Sequence, residues 1–437
     1  MSDGGVQGAG PMSWDNAAMW FLVILLLLAW GVDLIRVWRV TNDHDLKVIV
    51  GAARRLARGE DIYAHAAPFK AAIEEGTFDM QDDSVVWPYA YPPFLAMLFV
   101  PLSSLPLSVL SGLWWSFNVV ALLAGSWFCL RVMGPVTPPR IVVVLLMLYR
   151  FYPAVATLRL GQIELVQFLL LSATLHALDR GRECLAGGAL GLAAGLKFFP
   201  GALAGLLLWR RRWRAAVVTV LVALVTALGS FALVGFDTLG DYMRYSAMYG
   251  VGGAFAAFPF NQSLNGFFSR NLMRNAFTTP LKGLHLPWLA KGLTLFCDAV
   301  VVAVSAWLTW HRRPWPQEPE REQRRGFSLE FALGVVALLL VSPHSQVYTL
   351  VWSLIPLILL SARFLEGGKP VWWQGGGLIV VYALLGRDYM LYYPGLTRFV
   401  ESHYLFGLLL LWGICALALF RERGGKTWRA LPSFLDL

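Results

Sequence analysis

Apolar runs of roughly twenty residues recur from one end of this chain to the other, and most of them stop at arginines. Met19 to Val40, Leu107 to Leu130, Ala215 to Val234 and Trp288 to Trp310 are the longest. An α-helix of about 20 apolar residues crosses the ~30 Å hydrocarbon core of a bilayer, with every backbone hydrogen bond closed inside the segment. Shorter runs follow at Ile141 to Ala156, Gln162 to Ala177, Leu329 to Val341, Val347 to Leu360, Leu378 to Leu385 and Leu405 to Phe420. Leu185 to Trp209 reads as two short helices meeting at Lys197-Phe198-Phe199-Pro200, because a lysine beside a proline is costly at the middle of one span. The pattern predicts an all-α polytopic membrane protein with about twelve crossings. With 57% hydrophobic and 14% charged residues, the composition excludes an ordinary soluble domain.

Charge predicts the topology. Arg131 and Arg140, Arg180 and Arg182, Arg210 to Arg214, and the arginines at 312–325 and 421–429 fall on one side if the positive-inside rule holds. That side is the cytoplasm, with both termini there, although Arg36 and Arg39 oppose the assignment. Alternation then gathers five pieces on the outer face: the stretch around Asp45, Gly161 to Glu164, the Lys197 turn, the Asp237 to Pro287 loop, and Ser342 to Ser345. The first span covers 18–40, the first outer loop 41–106, a helical module 107–235, a second outer loop 236–288 and the C-terminal helices 289–437. The first sixteen residues hold no Lys or Arg, so the first run reads as a retained span rather than a cleaved signal peptide. The formal charge of +9 is membrane-surface arginine, and no basic patch interleaved with aromatics suggests nucleic acid. Four cysteines lie far apart in apolar segments and form neither a disulfide framework nor a zinc spacing.

The first outer loop carries the densest polar signal. Leu46, Ile49, Val50, Ala53, Leu56 and Ala57 share one helical face, with Lys47, Arg54, Arg55 and Arg58 largely off it and Gly59 as a stop. This predicts an amphipathic juxtamembrane helix lying in the interface. Its first turn presents Asp43, His44 and Asp45. From other loops the outer face adds Glu164, the cations Lys197, Arg270 and Arg274, the amides Gln162, Asn261 and Gln262, and the imidazole of His344. Carboxylates facing cations at a lipid boundary suit transfer of a group away from a lipid phosphate: cations stabilise the leaving phosphate while a carboxylate takes the proton of the attacking hydroxyl. Plainer roles also fit these residues. Asp45, and more so Asp43, suits a helix cap, Lys197 a snorkelling side chain, and Asp82-Asp83 a solvated acidic loop rather than a metal-binding pair. A secondary transporter predicts matching halves and midplane polar groups; here the halves differ and the polar groups crowd one face. A lipid-linked polysaccharide polymerase or ligase is the nearer rival.

Asp45-Leu46-Lys47-Val48, then Ala52-Ala53, Leu56, Gly59, Asp61 and Tyr63, then Tyr91-Pro92-Pro93-Phe94, resemble the first outer loop of glycosyltransferase family 87. Gly161-Gln162, the run from Gly191 to Pro200 ahead of an arginine cluster, Asn261-Gln262-Ser263 and Ser342-Pro343 follow in the order seen in that family. The resemblance covers most of the chain. It implies a GT-C fold and transfer of a sugar, mannose first, from a polyprenyl-phosphate sugar to a glycolipid or polysaccharide acceptor. Reaction at the outer face of a bacterial cytoplasmic membrane, with inversion at the anomeric carbon, is implied too. The first-loop aspartate that acts as general base maps onto Asp45. Lys197, Arg270, His344, Gln162, Asn261 and Gln262 become donor-binding candidates, with Asp43, Glu164 and Tyr91 behind them. No cofactor is implied, and no metal is expected, since a donor with one phosphate carries less charge than a pyrophosphate. One departure stands out: after Ser-Pro the family often carries an aromatic residue and a histidine pair, whereas this chain reads His344-Ser345-Gln346-Val347-Tyr348.

Overall fold

The computed structural model describes residues 14–75, 77, 87–275, 277, 285–310, 320–365, 372–389 and 401–424. Its architecture is helical; the β-structure among the described residues is one isolated bridge, Asn261 with Gln346. Six helices are long and apolar enough to cross a membrane, and a bent pair raises that number to seven. The chain is a multi-pass membrane protein. That is fewer than the twelve crossings expected from hydropathy, because several of the expected spans are shorter helices here: Glu183–Leu196, Phe199–Trp209, Phe327–Val341 and Gly375–Leu385.

The first helix, α1, covers Trp14–Arg39 and leads through a four-residue break into α2, His44–Ala57. The amphipathic pattern predicts α2 closely, but its apolar face does not lie on lipid. Leu46, Ile49 and Val50 are buried with Tyr63, Tyr89, Tyr91, Leu95 and Phe99 in one cluster. Protein side chains therefore satisfy the hydrophobic stripe that the sequence alone assigned to the bilayer surface. Arg54 fastens the helix by donating to the carbonyls of Ser103 (3.0 Å) and Leu105 (3.2 Å). After α3 (Ala66–Glu74) and α4 (Pro93–Phe99), the long α5 runs from Leu107 to Val132.

Hydropathy predicts one span over Ile141 to Ala156. The structure breaks it into α6, Pro138–Leu148, and α7, Tyr152–Leu160, which meet at 59°. Arg150 sits in the break with φ 55°, and its Nε pairs with Oδ1 of Asp33 at 3.2 Å. An acidic side chain within a membrane-capable helix is costly unless paired, and the break delivers the partner to Asp33 in α1.

Helix α8, Glu164–Asp179, precedes α9, Glu183–Leu196. The chain then turns at Lys197, passes a 3-10 segment at Phe199–Leu203, and continues as α10, Ala204–Trp209, so the two-helix expectation describes this region. Helix α11, Trp213–Val234, packs along α9. Gly187, Gly191 and Gly195 recur every four residues on the contact face, and a Cβ at Gly191 would stand 2.7 Å from both the Thr219 carbonyl oxygen and Val222 Cβ. Small residues at this spacing let two backbones approach closely. The remaining helices are α12 (Asp237–Ser246), α13 (Leu264–Leu272), α14 (Pro287–Trp310), α15 (Glu320–Val341), α16 (Leu354–Leu365), α17 (Trp372–Leu385) and α18 (His403–Gly424).

Candidate active site

A cavity of about 690 Å³ opens where the first loop, the α7–α8 corner, the α9–α10 turn and the loop after α15 converge. Asp45 and Tyr91 line it from the first loop, and Gln162, Lys197 and His344 each from a separate piece of chain. These are the residues that the sequence singles out in four of its five outer segments.

Asp45 stands in the first turn of α2, where an acidic side chain is favoured by the unsatisfied N–H groups of the helix start. Its carboxylate is not spent on capping. Gln162 Nε2 donates to Asp45 Oδ2 at 2.8 Å, and His44 Nδ1 lies 3.2 Å from Oδ1. Gln162 is buried, and its Oε1 accepts the Tyr91 hydroxyl at 2.6 Å. Burial, reinforced by the Asp45 and Glu164 charges, raises the Tyr91 phenol well above its ordinary pKa. A phenol held protonated is a donor, so it fixes the Gln162 amide with its oxygen toward Tyr91 and its nitrogen toward Asp45. Gly161, at φ 71°, makes the turn that brings Gln162 here, and a Cβ there would meet Leu46 Cβ at 2.7 Å.

Asp43 plays a different part. Its backbone is left-handed (φ 52°), it makes no side-chain cap, and Ser111 Oγ donates to its Oδ2 at 2.5 Å. The N–H groups of Asn42 and Asp43 both donate to the Arg159 carbonyl, at 3.0 and 3.1 Å. Asp43 thus binds the start of α2 to α5 and α7.

Lys197 terminates α9 in an extended conformation (φ −154°), which frees its side chain from the helix. Nζ reaches Glu164 Oε1 at 2.5 Å and stands 5.9 Å from the centre of the Tyr348 ring. Glu164 is wholly buried behind it and also accepts from Thr349 Oγ1 at 3.3 Å. Burying that carboxylate is tolerable because Lys197 pairs with it.

His344 packs edge-on to Tyr249, with ring centroids 4.7 Å apart, and its Nε2 lies 2.6 Å from Gln346 Nε2. Burial, and then the nearby Lys197 charge, push the imidazole down to about 3. His344 is therefore neutral, offering a hydrogen bond where the sequence allowed a positive charge. Its Nδ1 is shielded and has no partner among the described residues.

Asn261, Gln262 and Arg270 do not line the cavity. Asn261 Nδ2 donates to the carbonyls of Ala256 (2.9 Å) and Pro343 (3.0 Å), and its Oδ1 accepts the Ser345 N–H at 3.0 Å, so it holds the His344 loop in place. Gln262 donates to the carbonyls of Pro259 and Glu401 at 2.9 and 2.7 Å. Arg270 is fully buried, its guanidinium donating to the carbonyls of Phe258 and Asn261 and to Ser402 Oγ. Burial lowers its pKa to about 10, which leaves it a cation enclosed by the protein's own oxygens. Asn261 and Arg270 thus act from behind the cavity, through the carbonyls of Pro343 and Phe258, which do line it.

Sequence reasoning passed over Arg159, Trp87, Tyr152 and Tyr249, all of which line the cavity. The aromatic rings offer faces that suit sugar rings and isoprene units alike. Asp82-Asp83 and the arginines at 312–319 and 425–429 lie outside the described residues. Among the described residues no three His, Cys, Asp or Glu side chains converge as a metal site would require.

The profile of glycosyltransferase family 87 matches residues 89–343. The chain is 28% identical over 417 residues to the polyprenol-phosphate-mannose-dependent alpha-(1-2)-phosphatidylinositol pentamannoside mannosyltransferase of Mycobacterium tuberculosis, covering 91% of this chain and 85% of that one. The enzyme of the same name from Mycolicibacterium smegmatis is 31% identical over 365 residues, 80% of this chain and 77% of its own. An alpha-(1->3)-arabinofuranosyltransferase of M. tuberculosis is 29% identical over 235 residues, 52% of this chain and 50% of its own. A profile match across more than half its length, together with these relatives, places the chain in glycosyltransferase family 87.

Proposed function

We propose that this membrane glycosyltransferase moves a sugar, mannose in the first instance, from a polyprenyl-phosphate sugar to a hydroxyl of a glycolipid or glycan acceptor. The reaction takes place at the outer face of a bacterial cytoplasmic membrane and inverts the anomeric centre. The observation that carries the reading is the opposition of Asp45, oriented by Gln162, and Lys197 in one aromatic-lined cavity. The acceptor hydroxyl oxygen attacks the anomeric carbon from the side opposite the phosphate. The bond from that carbon to the phosphate oxygen breaks, and its electron pair leaves on the phosphate. The hydroxyl proton passes to the Asp45 carboxylate. Lys197 faces the developing phosphate charge, and the neutral His344, with Gln346, hydrogen-bonds sugar hydroxyls.

Mannose is favoured over arabinofuranose because the mannose-dependent relatives align over most of this chain, whereas the arabinofuranosyltransferase aligns over about half. The acceptor named for those relatives, a phosphatidylinositol pentamannoside, makes a glycolipid the first acceptor to try. The arginine distribution supports the outer face. Transfer proceeds without a divalent ion, since a donor with one phosphate can be met by side-chain cations. Purified chain incubated with a panel of polyprenyl-phosphate sugars and a glycolipid acceptor tests the reading. Transfer from the mannosyl donor in the presence of chelator is expected; transfer from a nucleotide sugar alone would overturn it.

A further inference from the structure

The charges in the cavity do not balance for a phosphate ligand. Lys197 is held on Glu164 at 2.5 Å, so that pair has no net charge. Asp45 is an acid, and His344 is neutral. Arg270, the other cation taken from the sequence, is enclosed by backbone carbonyls away from the cavity. A phosphate entering beside Asp45 would meet a site with net negative charge unless another cation faces it.

Arg159 is that cation. Tyr152, Ala156, Arg159 and Leu160 all line the cavity, and their spacing sets them along one face of α7. The Arg159 side chain is half-buried, within electrostatic reach of Tyr152, and makes no hydrogen bond or ion pair among the described residues. Other buried or half-buried cations are engaged: Arg210 with Glu330, Lys197 with Glu164 and Arg270 with Ser402. The Arg159 backbone is also fixed relative to the proposed base, because its carbonyl receives the N–H groups of Asn42 and Asp43, two residues ahead of Asp45. We infer that Arg159 binds the lipid-linked phosphate together with Lys197, the guanidinium supplying the positive charge that the Lys197–Glu164 pair cannot. This rests on the polyprenyl-phosphate reading above. A planar guanidinium suits the role, since it can grip two phosphate oxygens at once. The rival explanation is that an arginine in the last turn of a helix merely complements the helix dipole.

Binding of polyprenyl monophosphate, with polyprenol of equal length as the phosphate-free control, separates these explanations without any need for turnover. The full chain in phosphatidylcholine nanodiscs keeps anionic bulk lipid out of the assay. Wild type should prefer the phosphate to the alcohol. Arg159→Gln should lose about 10- to 100-fold of the phosphate affinity while polyprenol binding holds, and Arg159→Lys should retain part of it. Unchanged phosphate affinity in Arg159→Gln, beside a loss in Lys197→Gln, would overturn the Arg159 assignment and leave the donor reading standing. Equal weakening of phosphate and polyprenol would show a structural role and overturn it as well. A wild type that does not distinguish phosphate from alcohol would sink the donor reading itself.

Discussion

Gln162 bridges Tyr91 and Asp45, accepting from the first at 2.6 Å and donating to the second at 2.8 Å. A carboxylate on the first turn of a surface helix could rotate freely; this one is held by an amide whose own orientation is set by a buried phenol. The aspartate is thereby presented to the cavity with one oxygen engaged by Gln162. The other, Oδ1, is left beside His44, itself edge-on to Trp87.

Asp45→Asn should lower turnover by about 10²- to 10⁴-fold, because general-base catalysis disappears while the side chain keeps its size. Donor affinity should stay within about threefold, since the phosphate contacts are elsewhere. Asp43→Asn is the comparison: asparagine tolerates the left-handed backbone and still accepts from Ser111, so turnover should fall by less than about threefold. Single-turnover kinetics on monodisperse protein measure both. Near-normal turnover in Asp45→Asn would move the base elsewhere.

If Gln162 acts by orienting Asp45, Gln162→Leu should reduce turnover by about 10- to 100-fold with little change in donor affinity. Tyr91→Phe should do less, because its effect passes through Gln162. The double variant should be no slower than Gln162→Leu alone, a strongly non-additive result for residues in one hydrogen-bond chain. Additive losses would mean that Tyr91 acts independently.

The six longest spans, the α2 helix and the Lys197 turn were legible because apolar periodicity and a lysine–proline break are local signals. The α6–α7 bend was not. Arg150 adopts φ 55° in order to meet Asp33, and no sequence window contains both residues. Asp45, Gln162, Lys197 and His344 were grouped by the expected alternation of crossings, and they line one cavity. Arg270 could not be separated from Arg159 in that way. Both are arginines near motif residues, and only the packed structure encloses one in carbonyls and leaves the other facing a cavity. The destination of the α2 apolar face was equally hidden, because lipid and protein satisfy the same stripe.

His344 carries a pH signature. Its imidazole is pushed down to about 3 from an unfolded value of 6.5. Between those values the unfolded chain binds the proton and the folded protein does not, so folding stability falls as pH drops through that window. His344→Gln removes this contribution. The melting temperature should therefore fall less between pH 7 and pH 4.5 in His344→Gln than in wild type, by about 2 °C or more. Parallel melting curves would show that the imidazole titrates normally. The same neutrality predicts that the pH–rate profile above pH 5 shows no limb lost in His344→Gln.

The glycine stripe of α9 offers a test of packing that reaches the site. A Cβ at Gly191 would lie 2.7 Å from the Thr219 carbonyl oxygen, a backbone atom that cannot swing aside, and 2.7 Å from Val222 Cβ. Gly191→Ala must therefore push α9 and α11 apart, a strain of about 1–3 kcal/mol. Gly188, on the same helix, has nothing within 4 Å of its Cβ position. Gly188→Ala should be neutral or stabilising by up to about 1 kcal/mol, the ordinary gain in helix propensity. Because Lys197 directly follows α9, the displacement should carry its ammonium away from Glu164 and weaken polyprenyl-phosphate binding in Gly191→Ala but not in Gly188→Ala. Thermal unfolding and polyprenyl-monophosphate binding on both variants give the answer. Equal stability of the two would show that the helices can separate at no cost. Lower stability with unchanged phosphate binding would uncouple the stripe from Lys197.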